Sequence, residues 1–178
     1  NSTSQNITIS IANINDNTPA ITSGATFSAD ENQTAIGTVT ATDADGDTVS
    51  YSLSGTDASS MSINASSGVL AFNSAPDYET KSSYSARVTA SDGTNSAAQD
   101  ITVNITNLND NTPAITSGAT FSAAENQTSI GTVTATDADG DTVSYSLSGT
   151  DASSMSINSS TGALTFNSAP DYETKASY

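Results

Sequence analysis

The sequence predicts an all-β fold made of β-sandwich domains strung in tandem. Three observations carry that prediction. Apolar residues alternate at period two, and no window shows the 3.6 period of a helix. Clusters of Asn, Asp, Gly and Pro interrupt the alternation at intervals suited to turns. The chain also repeats itself: residues 1–84 overlay residues 95–178 without a gap, with 70 of the 84 positions identical. A period of 94 residues is too long for a solenoid unit and matches an independently folding sandwich of about 100 residues.

The strands follow in chain order. Ile21 to Ala29 is the first and Ile36 to Ala41 the second. Val49, Tyr51 and Leu53 mark the third, Met61-Ser62-Ile63 the fourth and Leu70-Ala71-Phe72 the fifth. Tyr84, Ala86, Val88 and Ala90 mark the sixth, and Ile101, Val103 and Ile105 the seventh. Seven half-buried strands imply two packed antiparallel sheets. Phe27, Tyr51, Phe72 and Tyr84 are the large candidates for the core. Ile14-Asn15-Asp16-Asn17-Thr18-Pro19 recurs as Leu108-Asn109-Asp110-Asn111-Thr112-Pro113, and domain junctions are expected there. Residues 1–17 then read as the last strand and linker of a preceding repeat. Residues 18–111 read as a complete repeat with its linker, and residues 112–178 as a second repeat lacking its last two strands. With neither a basic-then-apolar leader nor an apolar run of membrane-spanning length, the chain reads as an excerpt of a longer protein.

Composition removes whole classes of function. The net charge is -16, from 19 acidic and 3 basic residues. Nucleic acid and anionic membranes are poor partners for such a chain, since both are bound through Lys and Arg. Without Cys or His there is no soft metal site and no Cys-His or Ser-His-Asp nucleophile. Paired carboxylates can run glycoside hydrolysis, but here they sit at strand ends, with no Trp platform and no obvious cleft. The chain therefore reads as a non-enzyme. Any bound metal must be held by oxygen, which points to calcium ahead of magnesium.

The carboxylates are grouped. Glu31-Asn32 ends the first strand, Asp43-Ala44-Asp45 follows the second, Asp77-Tyr78-Glu79 precedes the sixth and Asp92-Gly93 follows it. Asn13 and Asn15-Asp16-Asn17 form one linker; Asn107 and Asn109-Asp110-Asn111 form the next. In this order and spacing the motifs resemble the calcium-binding set of cadherin extracellular repeats, over essentially the whole chain, with Asn13 and Asn107 standing where that family usually has Asp. The middle Tyr of Asp77-Tyr78-Glu79 resembles bacterial cadherin-like repeats. The resemblance implies seven-stranded Greek-key sandwiches of the immunoglobulin-like, cadherin type, with calcium ions lying between domains. At the downstream junction it implies Glu31, Asp77 and Glu79 from one domain, Asn107, Asn109, Asp110 and Asn111 from the linker, and Asp137 and Asp139 from the next domain. Upstream it implies Asn13, Asn15, Asp16, Asn17, Asp43, Asp45 and Asp92. Glu125, Asp171 and Glu173 would serve a third linker. No single motif offers the six to eight oxygens that calcium takes, whereas a pooled junction does.

Other acidic residues read differently. Asp57 and Asp151 are expected in ordinary turns, and Asp47 in a solvated loop. Asp30 becomes Ala124 in the second copy and is not required by the fold. The functional expectation is a calcium-stiffened stalk of a large bacterial surface adhesin or extracellular filament, whose partners are neighbouring repeats. Two alternatives stand beside it. One is direct adhesion to a cell or glycan, which needs an exposed aromatic or apolar patch. The other is strand donation between identical chains, against which a simple cut through a longer repetitive chain is favoured, because the missing piece exceeds the strand supplied.

Overall fold

The computed structural model describes all 178 residues and divides them into two units, Asn1–Leu108 and Asn109–Tyr178. Unit 1 holds β1 (Ala20–Ile21), β2 (Thr26–Asp30), β3 (Ala35–Thr38), β4 (Ala41–Thr42), β5 (Ser50–Ser54), β6 (Met61–Ile63), β7 (Val69–Phe72), β8 (Ser83–Ser91) and β9 (Ser96–Thr106). β1 and β2 are two halves of the expected first strand, and β3 and β4 two halves of the second. The seven-strand reading therefore holds.

Two sheets enclose the core. One has the order β2-β9-β8-β5, the other β3-β7-β6, and β1 pairs with β4. Alternation decides which side chains go inward. Along β8 and β9, Ala86, Val88, Ala90, Ile101, Val103 and Ile105 are buried while their neighbours mostly face water. Across the sandwich Ala86, Val88, Ile101, Val103 and Ile105 meet Val39, Met61, Leu70 and Phe72 in one cluster. Each buried Val, Leu, Ile, Met or Phe side chain contributes about 1.5–3 kcal/mol. Phe72 and Tyr84 pack edge to face, with ring centroids 4.8 Å apart.

One expectation is corrected here. The sheets are not wholly antiparallel, because β2 runs parallel to β9, with Phe27 opposite Val103 and Ala29 opposite Ile105. The first strand begins antiparallel to β4 at Ala20 and Ile21, then crosses to the other sheet at Ser23-Gly24-Ala25. The crossing puts the end of β2, and hence Glu31, beside the end of β9.

Unit 2 holds β10 (Ala114–Ile115), β11 (Ser129–Thr132), β12 (Ala135–Thr136), β13 (Met155–Ile157) and β14 (Ala163–Phe166). Its sheet β11-β14-β13 reproduces β3-β7-β6, and β10-β12 reproduces β1-β4. Thr120–Ala123 and Ser144–Ser148 repeat the sequences of β2 and β5 but form no strand. In unit 1 those strands pair with β9 and β8, which have no counterparts within unit 2. Residues 1–13 likewise form no strand, against expectation, and are exposed throughout. Nothing in the chain pairs with them, and an unpaired strand leaves its backbone polar groups to water. No helix is long and apolar enough to cross a membrane.

Candidate metal centre

Four acidic clusters assemble within the units. The first is built on the Asp43–Asp47 turn and the linker before β1. Asp43 Oδ1 accepts the Asp45 N–H at 2.9 Å and the Asp47 N–H at 3.4 Å, which curls the turn around one carboxylate. Gly46, at φ 80, takes the left-handed corner that an L side chain resists. Asp45 then reaches the linker: its Oδ2 accepts the Asp16 and Asn17 N–H groups at 3.0 and 2.8 Å, and its Oδ1 accepts Asn17 Nδ2 at 2.7 Å. Asn13 Nδ2 donates to the Asp45 carbonyl at 2.8 Å. The backbone amide of Asn17, then its side chain, hold the Asp45 carboxyl below the usual carboxylate range.

The β8–β9 hairpin closes the other side. Gly93 at φ 95 turns the chain, and Asp92 Oδ1 accepts the Thr94 and Asn95 N–H groups, both at 2.6 Å. These amides, Asn95 first, also lower the Asp92 pKa. Asn95 Nδ2 donates onward to Asn15 Oδ1 at 3.2 Å and to the Asn17 carbonyl at 3.0 Å. Asn13, Asn15, Asp16, Asn17, Asp43, Asp45 and Asp92 thus come together. Asn95, absent from the sequence-based set, ties the hairpin to the linker; its proximity is a long-range fact that no local pattern signals.

Carboxylate oxygens of Asp43, Asp45 and Asp47 lie within 4.8 Å of one another. Asp43 Oδ2, Asp47 Oδ2 and Asp92 Oδ2 are buried and have no hydrogen-bond partner. Asp47 is therefore part of the centre and not a solvated loop residue, a correction that the Asp-x-Asp-x-Asp spacing could have signalled. Buried anionic oxygens without donors are costly. Two unit charges 4.8 Å apart repel by about 3 kcal/mol at an effective dielectric near 20. An oxygen-only set with spare anionic lone pairs suits a hard divalent cation.

The second centre lies at the opposite end of unit 1. Glu31 is 1% exposed, and both of its oxygens accept backbone amides: Oε2 from Tyr78 at 2.9 Å, Oε1 from Leu108 at 2.6 Å. Asn32, at φ 62, turns the chain away from β2 and donates its N–H to the Pro76 carbonyl at 2.9 Å. Asp77 accepts from the Thr80 hydroxyl at 2.9 Å and amide at 3.2 Å, and this pair lowers its pKa. Glu31, Asp77 and Glu79 bring ligand oxygens within 4.8 Å of one another. Asn107 is half-buried beside them in sequence, between β9 and Leu108.

The third centre is in unit 2 and repeats the turn and linker of the first. Asp139 Oδ2 accepts the Asp110 and Asn111 N–H groups at 3.1 and 2.8 Å, and Asn111 Nδ2 reaches Asp139 Oδ1 at 2.8 Å. Asp137 Oδ1 accepts the Asp139 and Asp141 amides at 3.0 and 3.4 Å, and the three carboxylates cluster. Asn109 is exposed and outside this net. Glu125, Asp171 and Glu173 also converge, but all three are exposed. The contrast with Glu31 has a simple cause: Glu31 is capped by the Leu108 amide that follows β9, and unit 2 has no β9 counterpart.

Asp57 is not a bare turn residue. It accepts from Lys81 Nζ and from the Ser85 amide, and Lys81 also lies over the Tyr84 ring at 4.7 Å. Asp151, Lys175 and Tyr178 repeat the staple.

Comparison with known proteins fits this fold and these centres. The family profile described as "Cadherin domain" matches residues 25–106. Protocadherin Fat 4 of Mus musculus is 34% identical over 193 aligned residues, which cover 99% of this chain and 4% of that protein. The Homo sapiens protein of the same name is 34% identical over 97% of this chain and 4% of its own length. This chain therefore spans about one twenty-fifth of the first relatives it matches. Among solved structures, mouse cadherin-23 EC22-24 superimposes with TM-score 0.77 at 25% identity, covering 91% of this chain and 57% of that one. Protocadherin gammaB7 EC3-6, solved as a cis-dimer, gives 0.76 at 28% identity, with 93% and 46% covered. These similarities are to animal proteins and lend no support to the bacterial source expected from the sequence.

Proposed function

The chain carries a domain of the cadherin family at residues 25–106, and from that premise we propose that its acidic centres hold calcium and stiffen the joints of a tandem extracellular array. The observation that carries the proposal is the trio of buried, unpartnered oxygens on Asp43, Asp47 and Asp92, set against the Asn13–Asn17 linker. At the upstream joint the ligands are Asn13, Asn15, Asp16, Asn17, Asp43, Asp45 and Asp92, with Asp47 added. At the downstream joint Glu31, Asp77 and Glu79 of unit 1 pool with Asn107, Asn109, Asp110, Asn111, Asp137 and Asp139, with Asp141 added. Glu125, Asp171 and Glu173 begin a third. Calcium bound there neutralises the clustered carboxylates. The residues themselves do the positioning: Asp45 and Asp139 hold their linkers by backbone amides, and Glu31 pins the start of the next linker through Leu108. A joint so organised is flexible without calcium and stiff with it.

The array's role in this reading is a cell-surface spacer of adhesion type. Near-identical repeats suit length more than recognition, and the outward strand positions of β8 and β9 are largely Ser and Thr, with Arg87, Ala98, Asp100 and Asn104 among them. The relatives' cell-surface setting supports an extracellular location, and a bacterial origin is no part of the proposal. Catalysis has no place in this repeat family. Calorimetric titration tests the reading: calcium is expected to bind with a Kd on the order of 0.1–1 mM, the range of extracellular modules. Magnesium is expected to bind more weakly. No heat with calcium, or equal heat with magnesium, contradicts it.

A further inference from the structure

We propose that Asn95 is a switching residue of the upstream joint: with calcium withheld its Nδ2 clips the linker to the β8–β9 hairpin, and with calcium bound its carboxamide turns to offer Oδ1 as a ligand. The inference rests on the calcium reading above and adds to it a residue outside the acidic motifs. Asn95 Nδ2 donates to Asn15 Oδ1 at 3.2 Å and to the Asn17 carbonyl at 3.0 Å. Two linker oxygens thus converge on one NH2 group. Such a group and a hard cation are attracted by the same oxygens, so they compete for one place. A donor left pointing at a bound cation is repelled by it, and the carboxamide has to turn.

Three features suit Asn95 to a change of partner. Its carboxamide carries two donor hydrogens and an acceptor oxygen on a single carbon, so a half-turn puts Oδ1 where Nδ2 stood. Its backbone is held independently of that side chain. The Asn95 N–H donates to Asp92 Oδ1 at 2.6 Å, and its carbonyl accepts the Asp92 amide at 3.2 Å and the Ser91 hydroxyl at 3.0 Å. The carboxamide therefore turns without opening the hairpin. The third feature is its neighbour. With Oδ1 held by the Asn95 amide, Asp92 keeps its Oδ2 buried and without a hydrogen-bond partner. Asn95, itself half-buried, thus joins the residue that carries an unpartnered anionic oxygen to the two linker oxygens. Calcium accepts amide oxygens as readily as carboxylates, and an Asn oxygen adds a ligand to this crowded centre without adding charge.

NMR on the 178-residue chain tests the switch. The Gly46 and Gly93 amide signals report calcium at the upstream joint, because these glycines lie in the Asp43–Asp47 turn and the β8–β9 hairpin. With chelator, the Asn95 side-chain NH2 protons are expected to show short-range contacts to linker protons around Asn17. With saturating calcium those contacts are expected to vanish. Asn95→Ala removes donor and acceptor, and is expected to weaken calcium binding at this joint about three- to tenfold. Asn95→Asp keeps an acceptor and adds charge, and is expected to bind calcium at least as tightly as the native chain. Both variants lose the clip, so in chelator the Asn17 amide is expected to exchange about three- to tenfold faster in each. Persistence of the NH2 contacts in saturating calcium, or Asn95→Asp weakened as much as Asn95→Ala, would overturn this proposal alone. No response of Gly46 or Gly93 to calcium in the native chain would overturn both this proposal and the reading it rests on.

Discussion

Asp45 shows how much one side chain organises: a single carboxylate gathers two backbone amides and one amide side chain from the linker. Glu31 does the same at the other end, under deeper burial. Replacing Glu31 by Ala leaves the Tyr78 and Leu108 amides without acceptors, and is expected to cost about 2–3 kcal/mol in denaturant unfolding of unit 1. A loss under about 0.5 kcal/mol would mean that water satisfies both. Asp47→Asn tests the residue that the sequence reading set aside: calcium affinity is expected to fall about tenfold, equivalent to about 1.4 kcal/mol, with folding unchanged. The Asp57–Lys81 staple is the pH probe. Lys81, then the Ser85 amide, hold the Asp57 pKa below its ordinary 3.8. Its contribution is therefore full above pH 3.8 and is lost as pH falls through the depressed value. The stability gap between the native chain and Asp57→Asn is expected to be about 0.5–1 kcal/mol, constant from pH 7 to about 4, and to close below. A gap that closes between pH 7 and 5 would assign the effect elsewhere.

At the scale of elements, the two units give a natural control on what strand formation needs. Ser50–Ser54 and Ser144–Ser148 have the same sequence, yet only the first is a strand. Local propensity is equal, so the difference is the partner β8. Hydrogen exchange is expected to show a protected amide at Ser52, which faces Thr89 in the β5–β8 ladder, and fast exchange at its counterpart Ser146. Equal protection would contradict the pairing argument. This is also where the sequence was readable and where it was not. Alternation located all seven strands of unit 1, because a half-buried strand must present one apolar face. It did not reveal that β2 runs parallel to β9, since side-chain period is the same for either direction. It also credited residues 1–13 with a strand, because a pattern records which face could be buried and not whether anything covers it. The acidic centres were legible as groups of motifs at strand ends. Asn95 was not, because its role depends on a hairpin and a linker meeting from opposite ends of the repeat.

For the whole molecule, 19 acidic residues against 3 basic ones concentrate repulsion at the domain ends. Within the first centre alone three carboxylates lie within 4.8 Å, and three buried oxygens there lack partners. In the proposed reading a cation at each joint neutralises these carboxylates and makes joint stiffness conditional on calcium. Small-angle scattering tests this most directly. Saturating calcium is expected to give a larger maximum dimension and a narrower spread of conformations than excess chelator, with Asp137→Asn/Asp139→Asn insensitive to either. Superimposable scattering with calcium and with chelator would contradict it.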